Sequence, residues 1–263
     1  MLPEQRSAIA GSVRPYWTDG VNALYLGRFE DILPSLDVRP DLIVADPPYQ
    51  ETDLSWDRWP DGWPDLIADI ADSMWCFGSM RMFLERGSEF ARWRLSQDVV
   101  WEKQNGTGSQ TDRFKRVHEH ALHWYRGDWS TVHHQTPTTP DAIARTVRHK
   151  ARPAHWHGAT GPRTYTVEDG GPRLMRSVVY ARNMHGRAIN ETEKPTGLLE
   201  PLITYGCPPG GLVLDPFSGS GSTIDAARAT GRRCIGIEMR ESQCEEAARR
   251  LSQDCLPLPL GEQ

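Results

Sequence analysis

Short apolar runs, each followed by a polar segment, recur through much of this chain. The run 41–45 is rich in β-branched residues and stops at two prolines, which cannot continue a ladder of hydrogen bonds. The runs 211–215 and 234–238 have the same character, and each of them ends on a carboxylate. Apolar positions without alternation are typical of strands buried on both faces, so these runs predict strands of a parallel sheet.

Amphipathic stretches with helical periodicity lie between the apolar runs. They predict helices over 81–95, 196–205, 222–230 and 242–251. Further strands are predicted near 24–26, 74–77, 99–101 and 120–125. The alternation of strands and helices indicates the α/β class, with a mainly parallel sheet covered by helices on both faces.

The stretch 130–172 interrupts this alternation, since it is rich in Thr, Pro, His, Gly and Arg and has little hydrophobic periodicity. Segments of this length without clear elements are usually functional or disordered rather than simple connections. We therefore expect an inserted region over 128–182 within one catalytic domain, whose two halves are 1–127 and 183–263.

Charge is distributed unevenly along the chain, although the net charge is only −5. The segment 81–187 holds 18 Lys and Arg against 10 Asp and Glu, a balance of +8. The rest holds 12 against 25, a balance of −13, and all nine histidines lie in the basic segment. A basic middle between acidic ends suggests contact with a polyanion through the middle, although a solvated basic surface has the same composition.

The composition, with 38% hydrophobic and 25% charged residues, is that of a soluble globular protein. The five cysteines are scattered and form no CxxC pair, which favours reduced thiols and a cytoplasmic protein. The first residues carry charges and lack an apolar core, and no apolar run is long enough for a bilayer. We therefore expect neither a signal peptide nor a membrane span.

The first candidate site is a glycine-rich turn between the predicted strand 211–215 and the predicted helix 222–230. Glycines at the start of a helix let a ligand approach the backbone and the helix N-terminus closely. Glu238 ends the next predicted strand, about 20 residues after Gly219, where an acid commonly accepts hydrogen bonds from ribose hydroxyls. Ile224 stands where a dinucleotide-binding turn has its third glycine, which argues against a nicotinamide dehydrogenase. The candidate binding residues are Asp215, Pro216, Phe217, Ser218, Gly219, Ser220, Gly221, Ser222, Thr223 and Glu238.

The second candidate site is formed by Asp46, Pro47, Pro48 and Tyr49, the candidate catalytic residues, directly after the predicted strand 41–45. An exocyclic amine on a nucleobase is a poor nucleophile, because its lone pair is delocalised into the ring. The carboxylate of Asp46 and the carbonyl of Pro47, whose φ is fixed, could accept its two N–H bonds and free that lone pair. Tyr49 offers a ring on which an extruded base could stack. The same four residues can also form a simple turn.

Together the two motifs resemble those of the amino-methyltransferases that modify DNA in restriction-modification and epigenetic systems. The base-amine motif comes first and the glycine turn last, an order that resembles the permuted β group of that family. The segment 193–195, Glu-Lys-Pro, is similar to the family's segment before the cofactor turn. The segments 101–103 and 118–119 resemble its middle motifs.

This resemblance implies a Rossmann-like methyltransferase fold, S-adenosylmethionine as the methyl donor, and double-stranded DNA as the substrate. It groups Lys194 with the cofactor-binding residues, implies a target-recognition region between the two blocks, and suggests a homodimer. It favours the N6 amine of adenine in a flipped-out base, because cytosine-amine members more often carry Ser where this chain has Asp46. Methylation of the N4 amine of cytosine stays open, as does an RNA or protein-amide substrate.

The chain departs from this family at one position. The family usually carries Gly-Asp after its first strand, where the acid contacts the adenine amino group of the cofactor, and this chain has Gly27 and Arg28. Either Glu30 or Asp31 takes over that contact or the contact is absent.

Histidines raise the question of a metal. His118 and His120 alternate along a predicted strand and could face a cation together, and His155 and His157 repeat the spacing. No cysteine or second ligand pair completes a site at a recognisable spacing, so we expect no metal.

Overall fold

The computed structural model of the protein describes residues 13–107, 111–151, 161–182 and 193–253. The chain divides into two compact units. One unit, which we call the sheet unit, comprises Met1–Gln135 and Ser177–Gln263, and the other, the insertion unit, comprises Thr136–Arg176. The insertion unit is shorter than the inserted region expected from the sequence, because residues on both sides of it belong to the sheet unit.

Strands and short helices alternate along the described chain. In chain order the strands are β1 (Trp17–Thr18), β2 (Ala23–Leu26), β3 (Leu42–Ala45), β4 (Ser73–Gly78), β5 (Arg94–Thr107), β6 (Arg116–Tyr125), β7 (Thr138–Thr139), β8 (Arg145–His149), β9 (Arg163–Val167), β10 (Arg173–Leu174), β11 (Val178–Tyr180), β12 (Leu212–Asp215) and β13 (Arg233–Glu238). The α-helices are α1 (Phe29–Ile32), α2 (Trp63–Ile67), α3 (Met80–Arg86), α4 (Thr196–Gly206), α5 (Ser222–Ala229) and α6 (Glu241–Leu251). Short 3-10 turns occupy Leu33–Ser35, Gly87–Phe90 and Trp129–Thr131.

One sheet, with nine strands among the described residues, forms the centre of the sheet unit. Its order is β1-β2-β13-β12-β3-β4-β6-β5-β11. The strands from β2 to β4 run parallel to one another, whereas β1 and β6 are antiparallel to their neighbours. The predicted α/β class with a mainly parallel sheet is confirmed.

Alternate residues of the central strands fill two hydrophobic cores, one on each face of the sheet. In β3, Ile43 and Ala45 belong to the core that contains residues of α1, α2 and α3. Leu42 and Val44 belong to the core that contains residues of α4, α5 and α6. Successive side chains of a strand point to opposite faces, so an uninterrupted apolar strand requires helices on both sides.

The helix predicted over 81–95 is wrong in its second half. α3 ends at Arg86, a 3-10 turn follows, and β5 already begins at Arg94. The reason is tertiary, because Phe90 and Trp93 are buried in a core and the residues from Arg94 onward pair with β6. Sheet pairing therefore overrides the local helical periodicity.

The insertion unit contains two antiparallel strand pairs among its described residues, β8 with β9 and β7 with β10. In the longer pair, Arg145 lies opposite Val167 and His149 lies opposite Arg163. No residue of β8 or β9 is buried. Because this ribbon has no buried face, it has no apolar alternation, and none of these four strands could be predicted from the hydrophobic pattern.

Strands from the two ends of the described chain are neighbours in the sheet. β2 pairs in parallel with β13, where Leu26 lies opposite Glu238. Nearby, Nε1 of Trp17 donates a hydrogen bond to Oγ of Ser252 at 2.9 Å. The early and late parts of the chain thus share one sheet.

Among the described residues, no helix is long and apolar enough to cross a membrane. Cys76, Cys207, Cys234 and Cys244 are buried free thiols, and Cys255 lies outside the described residues. Burial raises the pKa of Cys207 and of Cys244 to about 12, which keeps both thiols protonated at neutral pH.

Candidate active site

The carboxyl ends of three parallel strands meet at one edge of the sheet and carry predicted site residues. β3 and β12 are direct neighbours, and β13 lies on the other side of β12. Asp46 follows β3, Asp215 ends β12 and Glu238 ends β13. The two candidate sites therefore lie on adjoining strands, as ligand sites of open parallel sheets usually do.

A cavity of about 1640 Å³ in the sheet unit opens at this edge. Fourteen of the fifteen predicted site residues line it, and Gly221 is the exception. The lining residues among them are Asp46, Pro47, Pro48, Tyr49, Lys194, Asp215, Pro216, Phe217, Ser218, Gly219, Ser220, Ser222, Thr223 and Glu238. Two motifs that are far apart in sequence thus share one space.

The carboxylate of Asp46 is held from two directions. The hydroxyl of Tyr49 donates to its Oδ1 at 2.6 Å, and Nζ of Lys194 donates to its Oδ2 at 2.5 Å. The Lys194 side chain is only 6% exposed, whereas that of Asp46 is 24% exposed and lines the cavity. A carboxylate offers about four acceptor positions, so Asp46 has capacity for a further donor from the cavity.

Lys194 connects Asp46 to a second carboxylate. Its Nζ lies 3.4 Å from Oε2 of Glu119, and Oε1 of Glu119 is paired with Lys103. Only 10–11% of the Lys103 and Glu119 side chains is exposed. Two lysines and two acids therefore alternate in a buried series, Lys103–Glu119–Lys194–Asp46, which we call the ion-pair chain.

Burial and pairing act in opposite directions on the groups of the ion-pair chain. Burial raises the pKa of Glu119, but the charges of Lys194 and Lys103 outweigh burial and hold that pKa below its usual value. Burial lowers the pKa of Lys194, but Asp46 and Glu119 outweigh it and raise that pKa. Both groups are therefore charged at neutral pH, because each is paired.

Tyr49 is the hydrogen-bond donor at the end of this network. Burial, and then the neighbouring charge of Asp46, raise the pKa of its hydroxyl well above the usual value. The hydroxyl therefore keeps its proton and donates to Asp46. Its ring packs on residues of both hydrophobic cores.

A carboxylate that sequence analysis did not identify holds the loop after Tyr49. Asp57 is 3% exposed and accepts the backbone N–H groups of Gln50, Glu51 and Thr52 at 2.7–2.9 Å. Gln50 has a φ of 59°, a left-handed conformation that non-glycine residues rarely adopt. Three backbone donors converging on one carboxylate stabilise this turn, and with it the end of the base-amine motif.

The glycine turn between β12 and α5 requires glycine at two positions. Gly219 has a φ of 50° and Gly221 a φ of 77°, both in the left-handed region. A Cβ on Gly221 would lie 3.3 Å from Leu251 and 3.4 Å from Ala247, so this residue faces α6 rather than the cavity. From the sequence we expected Gly221 to let a ligand approach the backbone. In the structure the space beside this glycine is occupied by α6.

Three polar side chains of this region line the cavity. Burial raises the pKa of Asp215 to about 7, and the charges of Asp46 and Glu238 add to the rise. Glu238 accepts the backbone N–H of Gly219 at 2.9 Å and lies 3.1 Å from the guanidinium of Arg240. Among the described residues, Oγ of Ser218 is a buried polar atom without a hydrogen-bond partner.

Two further residues of this site were not identified as such from the sequence. Lys103 and Glu119 fall within the segments 101–103 and 118–119, which resemble middle motifs of the family, and that was the available signal. Lys194 contacts the base-amine motif at Asp46, although the resemblance had grouped it with the cofactor-binding residues.

The histidine pair does not assemble into a metal site. The rings of His118 and His120 lie 5.2 Å apart between centroids. Within the described ranges, no group of three or more His, Cys, Asp or Glu is arranged to hold a metal ion. His155 and His157 lie outside those ranges.

Comparison with known proteins gives concordant matches. A family model described as DNA methylase matches residues 40–249, a range that contains every candidate site residue. Type II methyltransferase M1.MboII of Moraxella bovis is 25% identical to this chain over 234 residues, which covers 78% of this chain and 86% of that protein.

Solved structures share the fold. The M1.HpyAVI–SAM complex superposes with a TM-score of 0.59 at 20% identity, covering 87% of this chain and 98% of that chain. The PvuII DNA methyltransferase, described as cytosine-N4-specific, superposes with a TM-score of 0.60 at 13% identity, covering 94% and 92%. The expected Rossmann-like methyltransferase fold is confirmed.

Breaking the ion-pair chain at Lys194 should destabilise the protein in a pH-dependent way. Lys194→Met leaves Asp46 and Glu119 buried without their shared cation, which should lower the free energy of unfolding by about 3–5 kcal/mol. Glu119 has a lowered pKa in the folded protein, so its contribution is present above its unfolded pKa and is lost as the pH falls through the folded pKa. The loss in the variant should therefore be full at about pH 8 and should shrink below about pH 4.5.

Urea unfolding of the two proteins across this pH range measures the effect. The control is Arg249→Met, which removes an ion pair whose side chains are both 65% exposed and should change stability by less than about 0.5 kcal/mol. Equal unfolding midpoints for Lys194→Met and the wild type at about pH 8 would contradict the ion-pair chain.

Proposed function

The chain belongs to the DNA methylase family that matches residues 40–249, and we propose that it transfers a methyl group from S-adenosylmethionine to the N6 amine of adenine in double-stranded DNA. The family assignment by itself supports a DNA amino-methyltransferase and does not specify the base. One observation carries the proposal: the base-amine motif and the glycine turn lie on adjoining parallel strands and line one cavity. A methyl donor and an acceptor amine bound there would be neighbours.

The glycine turn supports the binding of S-adenosylmethionine. The turn leads into the N-terminus of α5, Glu238 lies where ribose hydroxyls are usually bound, and the buried hydroxyl of Ser218 is available to a ligand. Burial and the neighbouring carboxylates raise the pKa of Asp215, so a cationic ligand group would favour its ionised form. When bound, the cofactor supplies an electrophilic methyl group on a cationic sulfur.

The residues after β3 suit activation of the acceptor amine. Asp46 would accept one N–H bond of the base amine, and the carbonyl of Pro47 would accept the other. Both acceptors become more favourable as positive charge develops on the nitrogen during transfer, so they act mainly on the transition state. Tyr49 would stack on the extruded base, while Pro48 continues the rigid backbone between them.

Lys194 and Tyr49 orient the carboxylate for this task. Each occupies a different oxygen of Asp46, so the carboxylate cannot rotate freely. Asp46 acts as an acceptor throughout, and the methylated amine can lose its proton late.

Adenine is the proposed base because Asp46 precedes Pro-Pro-Tyr, where cytosine-amine members of the family more often carry Ser. The second candidate is the N4 amine of cytosine. It is favoured by the likeness in fold to the PvuII enzyme, which is described as cytosine-N4-specific. Both amines are exocyclic and conjugated with the ring, so the acceptors Asp46 and Pro47 could activate either of them.

The identity of the methylated base tests this proposal directly. Genomic duplex DNA incubated with the protein and S-adenosylmethionine should yield N6-methyladenine when the nucleosides are separated by mass spectrometry. Sequencing the same DNA for methylated positions gives the recognised site. N4-methylcytosine as the product would contradict the choice of adenine, and methylation of RNA or protein in place of DNA would contradict the substrate.

Asp46 and Tyr49 should affect turnover rather than cofactor binding. Asp46→Ala should lower the single-turnover rate by roughly two to three orders of magnitude, as is common for one well-placed electrostatic partner. Tyr49→Ala should lose a stacking contact worth about 1–3 kcal/mol. Tyr49→Phe keeps the ring and loses one hydrogen bond to Asp46, so its rate should fall by less than about tenfold.

Single-turnover methylation and calorimetric titration with S-adenosylmethionine separate the two effects. The matched control is Asp61→Ala, because the Asp61 side chain is 86% exposed and lies outside the cavity. Normal turnover of Asp46→Ala, or equal damage in Tyr49→Phe and Tyr49→Ala, would contradict the assignment.

The insertion unit is proposed to supply DNA contacts. Arg145, Arg148 and Lys150 are exposed on and beside the β8–β9 ribbon, and Arg163 is exposed on the partner strand opposite His149. Exposed cations on a two-stranded ribbon suit the phosphates and the grooves of a duplex. The homodimer suggested by the family resemblance stays a prediction.

Neutralising this ribbon should weaken DNA binding and flatten its dependence on salt. Replacing Arg145, Arg148 and Lys150 by Gln should reduce the slope of log affinity against log salt by about 2–3, because fewer counterions are released. Fluorescence anisotropy of a labelled duplex at several salt concentrations measures the slope. The control replaces Arg39, Arg92 and Arg249 of the sheet unit by Gln, and an equal slope in both triple variants would contradict the prediction.

A further inference from the structure

A fully exposed aromatic ring lies between β5 and β6, on the rim of the cavity that contains Asp46. Phe114 lies two positions before the first residue of β6, and its side chain is fully exposed to solvent. The residues on either side of it, Arg113 and Lys115, are exposed cations. All three residues line the same cavity as the base-amine motif.

Single exposed apolar residues are common, so location distinguishes this one. Leu84 of α3 is also largely exposed, at 78%, but it does not line the cavity. Phe114 shares the lining of this cavity with five exposed cations. They are Arg58, Arg81, Arg113, Lys115 and Arg116. A phosphate backbone drawn to these cations would bring base pairs next to the exposed ring.

The two strands that flank Phe114, β5 and β6, carry residues that connect to the base-amine motif. Lys103 of β5 and Glu119 of β6 belong to the ion-pair chain that ends on Asp46. Arg116 lies 3.1 Å from the carboxylate of Glu51, two residues after Tyr49. The strand that follows Phe114 therefore contacts both the ion-pair chain, through Glu119, and the loop after Tyr49, through Arg116.

A base that reaches Asp46 must leave the duplex, and its departure removes two stacking contacts. We propose that Phe114 enters the gap that the target base leaves and stacks there on the neighbouring base pairs, so that the extruded state is stabilised. This inference rests on the proposed function, because only a base amine inside the cavity requires extrusion. An apolar ring inserted between base steps is a known way to hold a distorted duplex.

The test compares a paired target with a target that is already open. One duplex carries the site mapped by sequencing, and a second carries the same site with an abasic position opposite the target base. On the paired duplex, Phe114→Ala should lower the single-turnover rate by about 10- to 100-fold, as the loss of one or two stacking contacts requires. On the abasic duplex it should methylate within about threefold of the wild type, because extrusion there costs little.

Matched variants separate stacking from other effects. Phe114→Trp keeps a stacking ring and should retain the wild-type rate on the paired duplex, whereas Leu84→Ala removes an exposed apolar side chain elsewhere and should have no effect. Fluorescence of 2-aminopurine at the target position should rise on binding the wild type, and should rise less with Phe114→Ala.

Two results overturn the inference alone. They are a normal rate of Phe114→Ala on the paired duplex, and an equal loss on the paired and abasic duplexes. A wild-type protein that methylates neither duplex would overturn the proposed function and this inference with it. Calorimetry with S-adenosylmethionine should give equal affinities for all variants, and a weaker affinity in Phe114→Ala would also overturn the assignment of the ring to DNA.

Discussion

The ion-pair chain is the interaction on which the candidate site depends. It joins residues that are up to 148 positions apart, since Lys194 reaches Asp46 from the segment before α4 while Lys103 and Glu119 reach inward from β5 and β6. Isolated charges would be expensive to bury, but alternating signs satisfy each group with its neighbours. Removing either inner member, Glu119 or Lys194, takes a partner from two neighbours at once. The orientation of the acceptor carboxylate is therefore a property of the whole sheet unit rather than of one loop.

A second constraint is the crowding of carboxylates at the same sheet edge. Asp46, Asp215 and Glu238 end neighbouring strands and line one cavity. Asp46 has Lys194 and Glu238 has Arg240, whereas Asp215 is stabilised by hydrogen bonds and has a pKa raised to about 7. The sheet edge itself thus carries more carboxylates than cations, which favours a cationic ligand group at that place. The cationic sulfur of the proposed methyl donor meets that requirement.

The sequence predicted those parts of the molecule that follow from local patterns. The strands of the parallel sheet could be predicted because 41–45, 211–215 and 234–238 are continuous apolar runs, and the residues predicted at their ends all line the cavity except Gly221. Lys103, Glu119 and Asp57 could not be assigned in the same way, because their partners come from distant strands or an irregular loop. The ribbon of the insertion unit escaped prediction because none of its residues is buried.

The pairing of β2 with β13, and the hydrogen bond between Trp17 and Ser252, bring early and late parts of the chain to the same place. A chain whose first and last described segments are neighbours could be closed into a circle and opened at another surface loop without disturbing its core. The sheet therefore imposes little restriction on which half of the enzyme is synthesised first. Opening the same circle at the exposed residues between β9 and β10, for example, would put the glycine turn ahead of the base-amine motif while every strand kept its neighbours. The arrangement of side chains at this edge of the sheet is then independent of the order in which the motifs occur along the chain.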